Sequence, residues 1–410
     1  MAASLSLAVG AFNAIVDPFD MFGFVSRPGY IDTKPAISTR LKLMKAYDAR
    51  RVGVRAIALG SSRVLVAIRM THPGWSADAR PRYNLAFDSA TPDEVFAYLQ
   101  HAEAIRPLRQ VVLGLDTWWL TGFPTADSPD FDPTVLDAPG SLAAHVRMHL
   151  SDARLLLSLD TFEASLKTLR QPRGLLWDTI DPTGQRDGAA YFHRALTGIS
   201  VLGPSRFFDR ADVKLVASMV PRPPAIATST DSPTIAIGLD GIEQIVAFCR
   251  EHSIDLRMYI TPQHAHQVEA AFAIGEWPQV EAAKRRLVGI LAEDAARHPG
   301  ARQFPLWDFS GYSTVTTEAV PAPGDPHEMK YYWEASHAKQ IVGDFILDRI
   351  FAVREHGKRV PADFGRRLDA SNVEAVIAAG RLGHARYAKT NPEDVAKLRS
   401  EFAEARASSP

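Results

Sequence analysis

The feature that most constrains this fold is an apolar run that stops at a glycine and two serines. Residues 54–60 read as a buried strand, with Ile57-Ala58-Leu59 followed by a tight Gly60-Ser61-Ser62-Arg63 turn. A second run, Gln110 to Asp116, has the same form and ends in Gly114-Leu115-Asp116. Between them, residues 92–106 read as a helix with Thr91 as N-cap and Pro92 in the first helical position. Strand–helix–strand order predicts a parallel sheet joined by right-handed crossovers. Open sheets of this kind bind ligands at the C-terminal ends of their strands, and the Gly-Ser-Ser turn puts a hydroxyl there.

Far along the chain, Trp333-Glu334-Ala335-Ser336-His337 places a carboxylate three residues before a histidine. Serine is a weak nucleophile until a positioned base takes its proton, and a carboxylate commonly orients that base. The two segments together therefore predict Ser62 as nucleophile, with Ser61 as the alternate. His337 is then general base and afterwards general acid, and Glu334 holds its tautomer. Each residue also has a plainer reading. Ser62 is a turn residue, His337 a structural histidine, and Glu334 a carboxylate at the start of the helix 338–354. Arg63 either binds an anionic group or caps the sheet edge.

Composition narrows the classes. Hydrophobic residues make up 46% and charged residues 23%, with net charge −1, as in a globular protein with a sizeable core. No basic arm or run of Lys/Arg with interleaved aromatics is present, so no nucleic-acid partner is expected. The one cysteine, Cys249, excludes an intrachain disulfide and falls in an apolar helical pattern, as a buried thiol does. Residues 1–16 are uncharged, yet short of the roughly 20 needed to span a bilayer. Within 1–20, two readings stand: a buried helix, or the tail of a membrane anchor.

Further along, residues 124–140 carry a loop composition, 141–170 read as helical, and 171–232 are rich in Gly and Pro. The whole of 124–232 reads as an insertion or cap over the sheet edge. Helices are expected at 238–251, 278–297 and 338–354, and strands at 256–261 and 306–310. From 355 to 410 the chain reads as a peripheral helical extension.

In motif order and spacing the chain resembles the SGNH (GDSL-like) hydrolases. Gly60-Ser61-Ser62 resembles their Gly-Asp-Ser turn, and Glu334-Ala335-Ser336-His337 their Asp-x-x-His. Tyr83-Asn84-Leu85-Ala86 and Gly114-Leu115-Asp116 fall where the second and third family blocks stand. Trp307-Asp308-Phe309-Ser310-Gly311-Tyr312 is similar to bacterial envelope members, some of which are O-acetyltransferases of exported polysaccharides such as those of alginate acetylation. The resemblance covers about 50–120 and 235–352. It implies a flavodoxin-like three-layer α/β/α sandwich over 50–352. It also implies an esterase or O-acyltransferase without a cofactor, acting on an acylated carbohydrate. The implied location is the cell envelope, facing outward, with a cytoplasmic protein as the alternative.

Two departures bear on the oxyanion hole. Ser89 stands near the position of a family glycine, and Asp116 stands where an asparagine donor is usual. An ionised Asp116 would repel an oxyanion, so either Asp116 is protonated or the hole falls to backbone groups and Asn84. That departure motivates a second class of function, a non-catalytic carbohydrate-binding or assembly protein. A third class, a metal-dependent hydrolase, uses His264 and His266 after the strand 256–261. His264 reads alternatively as a substrate contact or a structural loop residue. Trp118, in the Trp118-Trp119 pair, reads as a sugar-stacking ring or as packing.

Overall fold

The computed structural model describes residues 2–23, 34–121, 131–136, 142–170, 179–194, 197–219, 233–353 and 359–407. Its centre is a six-stranded sheet of β1 (Ala56–Leu59), β2 (Arg82–Asn84), β3 (Gln110–Leu115), β4 (Asp255–Ile260), β5 (Leu306–Asp308) and β8 (Arg366–Leu368). A separate hairpin is formed by β6 (Tyr332–Glu334) and β7 (His337–Ala338). The sheet order is β2-β1-β3-β4-β5-β8. All neighbours are parallel except β5 and β8. The protein is thus α/β with a mostly parallel central sheet.

The strands form where the sequence is apolar without alternation, because a parallel sheet is covered on both faces. β1 and β3 are buried at every position. Their side chains join one contiguous core with the crossover helices, including Val95 and Leu99 of Pro92–Ile105 and Ile242 and Ile245 of Pro233–Glu251. The start of Pro92–Ile105 is fixed as its sequence predicts. Thr91 Oγ1 accepts from the Glu94 N–H, and the Glu94 carboxylate accepts from the Thr91 N–H, a reciprocal capping box.

Two segments depart from the sequence reading. β2 is short and begins with a polar residue, so no periodicity announces it. The extension after 355 is not peripheral. Arg367 pairs with Trp307 and Leu368 with Leu306, which makes β8 the antiparallel edge of the main sheet. The following helix, Val373–Thr390, packs on Trp277–Arg297, and Pro392–Ala407 packs on Ala265–Ala273.

The region 141–170 forms two helices, Leu142–Leu156 and Leu159–Arg170. The N-terminal helix Ala2–Val16 packs against both. Asn13 ties them together, donating to the Leu156 carbonyl at 2.8 Å and accepting from the Ser165 hydroxyl at 2.8 Å. Among the described residues, no helix is long and apolar enough to cross a membrane. The Arg222-Pro223-Pro224 part of the insertion lies outside the described residues.

Candidate active site

The first site residue is placed by β1 and a strained turn. Gly60 has φ 144°, and a Cβ there would fall 2.4 Å from Val64 Cγ2 and 2.9 Å from the Gly114 carbonyl oxygen. Only glycine lets the chain pass this close to β3 and turn into the next helix. Ser61 is buried and extended at the N-cap of Ser62–Ala67, where its Oγ accepts from the Arg63 N–H at 3.3 Å. That capping role removes Ser61 as alternate nucleophile. Ser62 is the first helical residue and is half-buried.

Glu334 and His337 meet across a hairpin rather than along a helix. They are directly paired residues of β6 and β7, with only Ala335 and Ser336 in the turn. Opposed cross-strand side chains are near neighbours, so a spacing of three brings the carboxylate to the ring. The reading of Glu334 as a helix-start carboxylate fails for this reason. The next helix begins only at Gln340.

The side chains form a continuous chain of hydrogen bonds. His337 Nδ1 is hydrogen-bonded to Glu334 Oε1, and His337 Nε2 lies 2.8 Å from Ser62 Oγ. With Nδ1–H given to the carboxylate, Nε2 is left to accept the Ser62 proton. The second oxygen of Glu334 accepts the Ser336 N–H at 2.8 Å. Burial pushes the Glu334 carboxyl up. The His337 charge and hydrogen bond, the Ser336 N–H and Arg63 outweigh this and hold it below the usual range.

Arg63 and Asp116 sit beside this chain. Asp116 follows β3 and is fully buried. Its carboxylate lies 2.9 Å from Arg63 Nη1 and accepts from the Trp118 indole N–H at 2.7 Å and the Thr261 hydroxyl at 2.9 Å. Arg63 also donates to the Ser336 carbonyl at 3.0 Å and to Gln267 Oε1 at 3.2 Å. Arg63 therefore caps the sheet edge and braces the hairpin turn. Asp116 is thus committed to three donors, and the Ser62 hydroxyl is not among its hydrogen-bond partners.

Two further expectations are corrected, for Asn84 and His264. Asn84 cannot serve an oxyanion, because its Nδ2 donates to the Val64 and Ile68 carbonyls at 3.1 and 2.8 Å and its Oδ1 accepts the Ala86 N–H. His264 is buried and committed, with Nε2 bonded to the Glu318 carbonyl at 2.7 Å and Nδ1 accepting the His266 N–H. It touches no open surface where substrate would lie. The half-buried Trp118 gives its indole N–H to Asp116, a bond that does not decide what its ring face meets, and Trp119 donates to the Ala90 carbonyl at 2.8 Å.

Nor do His264 and His266 form a metal pair. His266 Nδ1 is bonded to Asp212 at 2.7 Å, and Asp394 lies 3.6 Å from its Nε2. No group of three or more His, Cys, Asp or Glu is placed to hold a metal ion among the described residues.

Ser89 is exposed with φ 52°, a left-handed conformation unusual for serine. Among the described residues, neither the Ser62 nor the Ser89 N–H finds an acceptor. The residue before it, Asp88, takes a bidentate ion pair from Arg186 at 2.6 and 2.8 Å. Arg186 is almost fully buried, with its guanidinium 4.4 Å from the Tyr191 ring centroid. Burial pushes the Asp88 carboxyl up, and the Arg186 charge and hydrogen bonds with the His337 charge bring it below its ordinary value.

Phe192, from the same insertion, lies 5.4 Å from the His337 ring and stacks on Trp333 at 5.3 Å. Sequence reasoning missed Asp88, Arg186 and Phe192. The polar 177–188 stretch carries no spacing signal, and its pairing across about 100 residues is a product of the fold. Compared with known proteins, the chain matches no family model and no curated sequence.

Proposed function

We propose that this protein is a serine-dependent esterase or O-acyltransferase of SGNH type, working through an acyl-serine intermediate. The observation that carries the reading is the unbroken Ser62–His337–Glu334 hydrogen-bonded chain, with Nε2 at 2.8 Å from Oγ. The order β2-β1-β3-β4-β5 supports a flavodoxin-like three-layer sandwich. Ligands of such sheets lie where the order reverses, between β1 and β3, and Ser62 follows β1 there.

In the first half-reaction Ser62 Oγ attacks the ester carbonyl as its proton passes to His337 Nε2. Negative charge gathers on the carbonyl oxygen, for which the unpartnered Ser62 and Ser89 N–H groups are the available donors. The carbon–oxygen bond to the leaving alcohol then breaks, and the imidazolium returns its proton to that oxygen. In the second half-reaction water or an acceptor hydroxyl gives its proton to Nε2 and attacks the acyl-serine, and as the acyl–Oγ bond breaks the imidazolium returns that proton to Ser62 Oγ. Glu334 keeps the ring oriented and stabilises the imidazolium, and Asp88 adds a second negative charge near it.

An acylated carbohydrate as donor and an outward-facing location at the cell envelope rest on the motif resemblance. Labelling with a fluorophosphonate probe, read by peptide mass spectrometry, tests the core of the proposal. Label is expected on Ser62 in the wild type and not in His337→Ala. Folded wild-type protein that takes no label at Ser62 overturns it.

A further inference from the structure

A cavity of about 520 Å³ lies away from the triad, between the C-terminal end of β5 and the helix Val373–Thr390. Nothing in the acyl-transfer reading uses it. Its volume is that of a small-molecule site. Glycines are among its lining residues. Gly380 and Gly383 lie one turn apart on the same helix face. A Cβ at Gly383 would fall 2.6 Å from the Tyr312 ring, whereas one at Gly380 would meet only Trp277, at 4.0 Å.

The charges on its walls are unevenly partnered. Lys284 and Asp308 are paired at 2.7 Å, with Ser310 Oγ held by both. Asp363 accepts the Thr314 N–H and hydroxyl through one oxygen, at 2.7 and 2.8 Å. Arg366 and Arg386 also line the cavity and are exposed. Among the described residues, neither guanidinium has an acidic partner, although arginines elsewhere on this surface are paired, as Arg285 is with Glu374. Three cations against two carboxylates leave the lining at +1, and the surplus sits on groups shaped for bidentate contact with an oxyanion. The remaining wall offers hydroxyls, a free carboxylate oxygen on Asp363 and the Tyr312 side chain.

We propose that this cavity is a second binding site, for a hydroxylated small molecule bearing one anionic group, namely a sugar carboxylate or a sugar phosphate. Arg366 and Arg386 take the anion, the Asp363 oxygen accepts ligand hydroxyls, and Tyr312 meets the ring. The site does not depend on the acyl-transfer reading, because it shares no residue with the triad.

Isothermal titration of the full chain carrying Ser62→Ala, which removes turnover, tests it with glucuronate, glucose 6-phosphate, glucose and inorganic phosphate. At least one acidic sugar is expected to bind, more weakly as salt is raised, and glucose at least tenfold more weakly. Which acid binds tighter names the source of the anion. Arg366→Gln with Arg386→Gln is expected to weaken binding tenfold or more. Gly380→Met, whose Cβ has room but whose chain fills the cavity, is expected to abolish it without lowering Tm. The proposal is overturned if neither acidic sugar binds, if glucose or inorganic phosphate binds as well as they do, or if the stable variants bind like the parent.

Discussion

Removing the Asp116 carboxylate should cost stability, and should not improve catalysis. The side chain is fully buried and answers three donors: Arg63 Nη1 at 2.9 Å, the Trp118 indole at 2.7 Å and the Thr261 hydroxyl at 2.9 Å. Arg63 is itself only 11% exposed, so truncation of Asp116 strands a guanidinium with little water to replace its partner. Breaking a buried pair from one side costs about 3–5 kcal/mol, which is the loss expected for Asp116→Ala.

Asp116→Asn keeps the shape. Its oxygen can face Arg63 and Trp118 while its NH2 donates to the Thr261 oxygen. Charge-assisted bonds worth about 1.5–3 kcal/mol become neutral ones worth about 0.5–1.5 kcal/mol. A loss of about 1–2 kcal/mol is expected. Urea unfolding with linear extrapolation resolves both values. Arg63→Met combined with Asp116→Ala should cost less than the sum of the single changes, since no charge is then left unpaired. An Asp116→Ala protein within about 1 kcal/mol of wild type would refute the reasoning, as would a gain in ester turnover in Asp116→Asn.

Glu334→Gln should lower kcat by roughly 10⁴-fold with little change in KM, because the amide favours the wrong ring tautomer. Steady-state kinetics on a chromogenic ester would show it, and a loss below tenfold would rule out the orienting role. Two buried groups should tilt stability in opposite directions with pH. Burial drives Lys45 down to about 7, so the fold binds its proton less well than the unfolded chain and this group's contribution rises with pH above 7. His266 also loses by burial, but its hydrogen bond to Asp212 and the negative charges of Asp212 and Asp394 lift it to about 9. Its contribution is full below about 6.5 and lost as pH rises through 9. Chemical denaturation of Lys45→Met from pH 6 to 9.5 should therefore show stability falling more steeply than in wild type, and a rising curve would contradict the assignment. Cys249 is wholly buried and its thiol is pushed well up by that burial, so a thiol reagent should label it only in denaturant. Labelling of the native protein at the unfolded rate would contradict this.

What could be read from the sequence was whatever depends on near neighbours. β1 and β3 appear where apolar runs predicted them, because a strand covered on both faces has little room for exposed polar side chains, and β4 follows its Leu256–Ile260 run while Asp255 and Arg257 stay half-buried. β8 did not announce itself, since an edge strand of Arg366-Arg367-Leu368 exposes two charges and borrows its order from β5. Glu334 and His337 were visible as a pair from spacing, although spacing alone could not tell a hairpin from a helical turn. Asp116 was misjudged because its charge was weighed without its partners. Arg63 and Thr261 stand 53 and 145 positions away, and only the fold brings them to it. Asn84 failed similarly, as a donor already spent on the Val64 and Ile68 carbonyls.

Arg63 follows Ser62 in the chain, pairs with the end of β3, and holds the Ser336 carbonyl inside the hairpin that carries both Glu334 and His337. One side chain thus spans segments whose synthesis is separated by about 270 residues. While the chain is growing, the serine exists without base, carboxylate or brace, and it is no more nucleophilic than any serine in water. On the acyl-serine proposal, Ser62 gains its base only once the hairpin carrying Glu334 and His337 lies against the turn after β1. If that proposal holds, a chain still lacking the hairpin has no acylating centre, and reaction with an activated-ester probe would report that the two segments have met.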